Sequence, residues 1–205
     1  MKRLRLIITG LSGAILMILA PAAAQAHLVA TGLGPVYDGI AHFGLSPEDF
    51  LPVIALGFYA GLTGAGQGRA ALAGVTLGWL IGGAAVAGLP PLVLSVATAA
   101  LYLVIGGLLA AKRALQAAPV AALGFALGVA RGAADFAGAL LGADPALTLA
   151  GMAIAVFAVL PLAASVTLPM RRTWIIVAAR VSGSWLAALG ILFAGWLLRF
   201  GKAVQ

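Results

Sequence analysis

The chain alternates long apolar runs with short polar breaks. Beyond Asp49 there are six such runs, at about 49–65, 70–89, 91–111, 119–141, 146–168 and 174–198. Each is near the ~20 residues that a helix needs to cross a hydrocarbon core. The breaks are turn-like or charged: Gly64 to Arg69, Leu89-Pro90-Pro91, Lys112 to Pro119, Gly142 to Pro145, and Pro169 to Arg172. None is long enough to form a soluble domain. Ahead of the runs, Lys2, Arg3 and Arg5 precede an apolar stretch from Leu6 to Leu19, and Ala24-Gln25-Ala26 has the small-x-small form of a signal-peptidase site. The pattern predicts an all-α polytopic membrane protein with six transmembrane helices after a cleaved signal peptide. Residues 1–26 are the signal, 27–48 a periplasmic segment with a short helix, and 49–205 the six-helix domain. An uncleaved signal anchor is the alternative, and it leaves residues 27–48 on the same side.

Composition agrees with this picture. Hydrophobic residues make up 63% of the 205 and charged residues only 8%, against roughly 25% charged in a soluble domain. A chain of this size cannot hide that much apolar surface from water. The formal net charge is +7, but the basic residues sit between apolar runs and form no basic stripe, which excludes nucleic acid as a partner. They act instead as orientation signals. With the mature N-terminus outside, Arg69, Lys112, Arg113, Arg171 and Arg172 face the cytoplasm, against Arg199 and Lys202 outside, in keeping with the positive-inside rule. The expected location is a bacterial inner membrane with a periplasmic N-terminus. Cysteine is absent, so disulfides and thiolate metal sites are excluded.

Charged groups inside the membrane are costly, and so informative. Arg131 and Asp135 are four residues apart on the fourth run and can meet on one helix face; they are either a self-neutralising pair or part of a transport pathway. Arg180, about two turns into the sixth run, is either a further intramembrane charge or a residue that snorkels to the cytoplasmic face. The glycine pairs Gly57/Gly61, Gly78/Gly82, Gly124/Gly128/Gly132 and Gly138/Gly142 have the small-xxx-small spacing that lets helices approach closely. No internal sequence similarity marks a three-plus-three repeat.

Both histidines and three of the five carboxylates fall within one stretch, "HLVATGLGPVYDGIAHFGLSPEDF". "GPVYDGIAHFG" reads as a short helix with Pro35 in its first turn and Gly44 just past its end. Asp38 and His42 then share a face, where a carboxylate can orient an imidazole or join it on a metal. "SPEDF" opens the first span, with Ser46 as N-cap and Asp49 completing a near capping box. That alone accounts for Glu48 and Asp49 without a metal. His27, if it is the mature N-terminus, offers an amine as well as an imidazole. The candidate metal ligands are therefore His27, Asp38, His42, Glu48 and Asp49. Imidazole, amine and carboxylate suit nickel, cobalt, zinc or copper better than magnesium or calcium. No spanning run contains a histidine for a haem, no nucleotide-binding motif is present, and no nucleophile array points to an enzyme.

The stretch "HLVATGLGPVYDGIAHFGLSPEDFLPVIALGFYAG" resembles the start of the HupE/UreJ family, small membrane permeases associated with nickel and cobalt supply to metalloenzymes. The principal branch has a His followed six and seven residues later by an Asp-His pair. Here His42, Glu48 and Asp49 hold those positions, and the resemblance carries the metal-uptake role onto them. A second family motif, HGxAHGxE, has its nearest counterpart in "LGVARGAAD", where Leu127 and Arg131 replace the histidines and Asp135 falls one residue after the glutamate position. The resemblance implies a permease importing nickel or cobalt, with Arg131 and Asp135 on the pathway. The rival reading is a non-transporting accessory that hands metal to metalloenzyme maturation proteins. Besides the lipid bilayer and the metal ion, a homo-oligomer remains open.

Overall fold

The computed structural model describes residues 31–85, 88–139, 144–167 and 173–201, and over these residues the protein is all-helical. The expected signal peptide and His27 lie outside the described residues, as does Gly142. In order, the described helices are α1 (Pro35–Leu45), α2 (Pro47–Thr63), α3 (Ala65–Ala85), α4 (Pro91–Ala111), α5 (Ala117–Ala139), α6 (Pro145–Thr167) and α7 (Thr173–Phe200).

Proline sets the first boundaries. Pro35 opens α1, where its missing N–H costs nothing and its fixed φ suits a helix. The expected stop at Gly44 is not used, and α1 continues to Leu45. Pro47 stops it instead, because a residue before proline is driven out of the helical region. Ser46 accordingly takes φ −94° and ψ 99°. Its N–H still donates to the His42 carbonyl at 2.9 Å while its own carbonyl accepts from Asp49 and Phe50, both at 3.0 Å. One residue thus ends α1 and begins α2. The expected capping box is not formed: the Ser46 side chain makes no cap hydrogen bond, and the Asp49 carboxylate is directed into the bundle.

A second proline has a longer reach. Pro52 lies inside α2 and has no N–H to offer the carbonyl of Glu48, four residues earlier. The Tyr102 hydroxyl, from α4, donates to that carbonyl. Tyr102 is eleven residues beyond the start of α4, a rise of about 16 Å, so α2 begins well below the end of its neighbour. Tyr59, eleven residues after Glu48, donates to the Arg113 carbonyl at 2.9 Å and accepts from the Leu115 N–H at 3.0 Å just past the other end of α4. The helices α2 and α4 therefore run parallel, with α2 displaced inward.

Among the described residues four helices are long and apolar enough to cross a membrane, namely α4, α5, α6 and α7. This is fewer than the six expected spans. At 17 residues, α2 is short for a span, as its inward start requires, and the first turns of α3 carry Gln67 and Arg69.

Glycine fixes how the long helices pair. The closest association is α3 with α5, where a Cβ added at Gly78 would meet the Phe125 backbone and one at Gly128 the backbone of Val75 and Trp79. Next come α4 with α7 and α2 with α6, the latter through Gly57 and Gly61. Exchanging α2-α3-α4 for α5-α6-α7 would turn the α3/α5 pair into the α6/α2 pair, but α3 and α5 pack far more extensively than α2 and α6, and the packing of α2 on α4 has no comparable counterpart between α5 and α7. Away from these pairs, Arg180 donates from Nε to the Ala110 carbonyl at 2.7 Å, covering the C-terminal end of α4.

Candidate functional site

The inward start of α2 carries Asp49 into the bundle, where its residue is 0% exposed. From α5, Arg131 reaches across: its Nε donates to Asp49 Oδ1 at 2.5 Å and its Nη2 to Asp135 Oδ1 at 3.0 Å. The second contact is the i,i+4 pair expected from sequence. The first is a bridge between helices that the sequence reading did not anticipate. Asp135 is 7% exposed. On the other side, His42 projects from α1 with Nε2 at 4.0 Å from Asp135 Oδ1. Ligand atoms of His42, Asp49 and Asp135 all lie within 4.8 Å of one another.

One guanidinium bridges two buried carboxyl groups, so it balances one ionised carboxylate, and a second negative charge at the centre calls for a proton or a further cation. Asp49 Oδ2 and Asp135 Oδ2 are both buried with no hydrogen-bond partner. A buried carboxyl pair with two unpartnered oxygens and a neighbouring imidazole can accept a cation. Carboxylate and imidazole together suit a divalent transition metal.

The surroundings hold the pieces in register. Phe43, next to His42, is 1% exposed and packs edge-on against Trp79 and Phe50 at centroid distances of 5.8 and 6.0 Å. Gly39 lies against the Thr148 backbone and Gly151 against that of Val36, which presses α1 onto α6. Beside the cluster, a cavity of about 210 Å³ runs from Leu89 and Pro91 at the start of α4 past Ser95 and Thr98 to Arg131. A larger groove of about 530 Å³ between α4 and α7 is lined by apolar residues and glycine and shares no lining residue with the first.

The structure separates the other expected ligands from this centre. Asp38 does not work with His42, although the two are four residues apart. It accepts hydrogen bonds from the Thr31 hydroxyl and the Thr31 N–H, both at 2.6 Å. These bonds hold its carboxyl below the ordinary 3.8. Glu48 is exposed, and its backbone carbonyl, not its carboxylate, is engaged. His27 lies outside the described residues. The site is therefore His42 and Asp49 from the expected ligand set joined to Arg131 and Asp135 from the expected pathway set. Tyr102 was missed altogether. The signal for it was available, since Pro52 four residues after Glu48 leaves a carbonyl that must find a donor elsewhere.

No protein-family model, curated protein or solved structure matches this chain.

Proposed function

We propose that this protein is a six-helix inner-membrane permease of the HupE/UreJ type, with its mature N-terminus in the periplasm, that imports a divalent transition metal, nickel or cobalt. The observation that carries the reading is the convergence of His42, Asp49 and Asp135 with two unpartnered buried carboxylate oxygens. Ionisable side chains buried beside membrane-crossing helices are rare and mark ion pathways, and Asp135 lies on such a helix. The depth of the site also supports transport: Asp49 follows Glu48, whose carbonyl meets Tyr102 midway along α4, away from either end of a helix long enough to span.

In this reading α2 and α3 complete the six spans. The metal is the cargo, held by His42, Asp49 and Asp135 after shedding part of its water. Histidine binds metal only when unprotonated, so protons compete with the cargo. Radiolabelled nickel and cobalt uptake should be measured in cells producing wild type, His42→Ala and Asp135→Asn at matched membrane levels. Both variants should fall to the background of cells lacking the protein. Uptake equal to wild type in both sinks the proposal, whereas metal binding by purified wild type without any uptake points to a metal-holding accessory protein.

A further inference from the structure

Arg131 occupies a position that a transported cation needs. Its guanidinium satisfies one oxygen of each carboxylate, Asp49 Oδ1 and Asp135 Oδ1, and so already fills part of the electrostatic role of a metal ion. A divalent ion bound between the same carboxylates would lie within a few ångströms of a fixed positive charge and be repelled by it. The two cannot occupy the centre together at full strength. The cavity of about 210 Å³ along α4 offers a way out. Arg131 itself lines that cavity, together with the hydroxyl-bearing side chains of Ser95 and Thr98. Thr98 is buried, at 4% exposure, and no hydrogen bond engages its hydroxyl among those of the described residues.

We propose that Arg131 is a built-in counter-cation that the arriving metal displaces: the guanidinium leaves Asp49 and Asp135 and moves into the cavity beside Ser95 and Thr98, and returns when the metal departs. This rests on the metal reading of the site and adds a role for one residue. In the empty protein the arginine keeps two buried carboxylates from repelling each other. In the loaded protein its withdrawal exposes four carboxylate oxygens to the ion. Its return then helps to expel the ion, so the same residue weakens binding and speeds release. The glycines of the α3/α5 contact bring the two backbones close together, and the displacement asked of Arg131 is one of its long side chain alone.

Two variants separate this role from a structural one. Arg131→Gln removes the competitor, and Ser95→Leu fills the cavity that receives it without touching a ligand. Nickel chloride and cobalt chloride are titrated calorimetrically into purified wild type, both single variants, the double variant and Arg131→Lys, and uptake is followed in proteoliposomes. Arg131→Gln should bind about tenfold or more tightly yet turn over more slowly, and Ser95→Leu should bind about tenfold more weakly in the wild-type background with no effect in the Arg131→Gln background. Arg131→Lys should restore turnover in part. A merely structural arginine would lower binding and turnover together, and Ser95→Leu would then add its effect independently. Either result overturns the proposal. If Arg131→Gln does not fold, an unchanged affinity in Ser95→Leu alone overturns it. Failure of wild type to bind either metal refutes the metal site itself and is thereby distinguished from failure of the displacement.

Discussion

The hydrogen bond from Tyr102 to the carbonyl of Glu48 exists because Pro52 cannot make it, and this gives a quantitative prediction. Tyr102→Phe leaves the ring in place and removes only the hydroxyl. The Glu48 carbonyl then has neither its helical donor nor its substitute. An unsatisfied buried carbonyl costs about 1–3 kcal/mol. Tyr102 is 6% exposed but Glu48 itself is exposed, so water relieves part of the loss and the lower half of that range, about 1–2 kcal/mol, applies. At roughly 2–4 °C per kcal/mol for a protein of this length, the midpoint should fall by about 2–8 °C. The assay is thermal unfolding in detergent micelles, read through the four tryptophans. The decisive comparison adds Pro52→Ala, which returns an N–H to the Glu48 carbonyl. The double variant should lose little more than Pro52→Ala alone, with a coupling of about 1–2 kcal/mol across the cycle. If Tyr102→Phe costs the same with and without Pro52, the proline does not orphan that carbonyl and the account of why α2 is tied to α4 fails.

Two other outcomes follow from the same structure. In metal-free protein, Arg131→Met leaves two buried carboxyl groups without their shared cation and should destabilise by about 3–5 kcal/mol, whereas Asp49→Asn leaves the Arg131–Asp135 pair intact and should cost less; chemical unfolding that ranks them the other way refutes the bridging role drawn for Arg131. Asp38 has its carboxyl held below the ordinary 3.8 by Thr31, so its ionised form contributes stability above that pH, and the contribution disappears as pH falls from about 3.8 through its lower folded value. The difference in unfolding midpoint between wild type and Asp38→Asn should be present at pH 6 and shrink toward zero on acidification; a difference that persists in strong acid contradicts the assignment.

Most of the helices were legible in the apolar runs, because long stretches without charge have few other ways to satisfy their backbone in a membrane. Their boundaries were less so. The glycine-rich segment from Gly64 to Arg69 reads as a loop, yet only Gly64 breaks the helix, at φ 134°, and Ala65 begins α3 at once. The site was legible in its parts and not in its grouping. His42 and Asp49 stood out as ligands, and Arg131 and Asp135 as intramembrane charges, but nothing local says that residues 49 and 131 meet. That contact spans 82 positions and depends on how far α2 is sunk into the bundle, which Pro52 and Tyr102 decide together. Asp38 is engaged elsewhere for a local reason. Helical spacing placed it beside His42, while a threonine seven residues earlier competed for its carboxylate.

The distance of 82 residues between Asp49 and Arg131 also has a meaning in time. A chain is synthesised at about 5–20 residues per second, so Asp49 emerges roughly 4–16 s before the arginine that neutralises it. Over that interval the first helices carry an acid with no counter-charge in their own sequence near it. The bridge that joins α2 to α5 can therefore form only after α1 to α4 have been made, so the early part of the chain holds Asp49 without its basic partner throughout that interval.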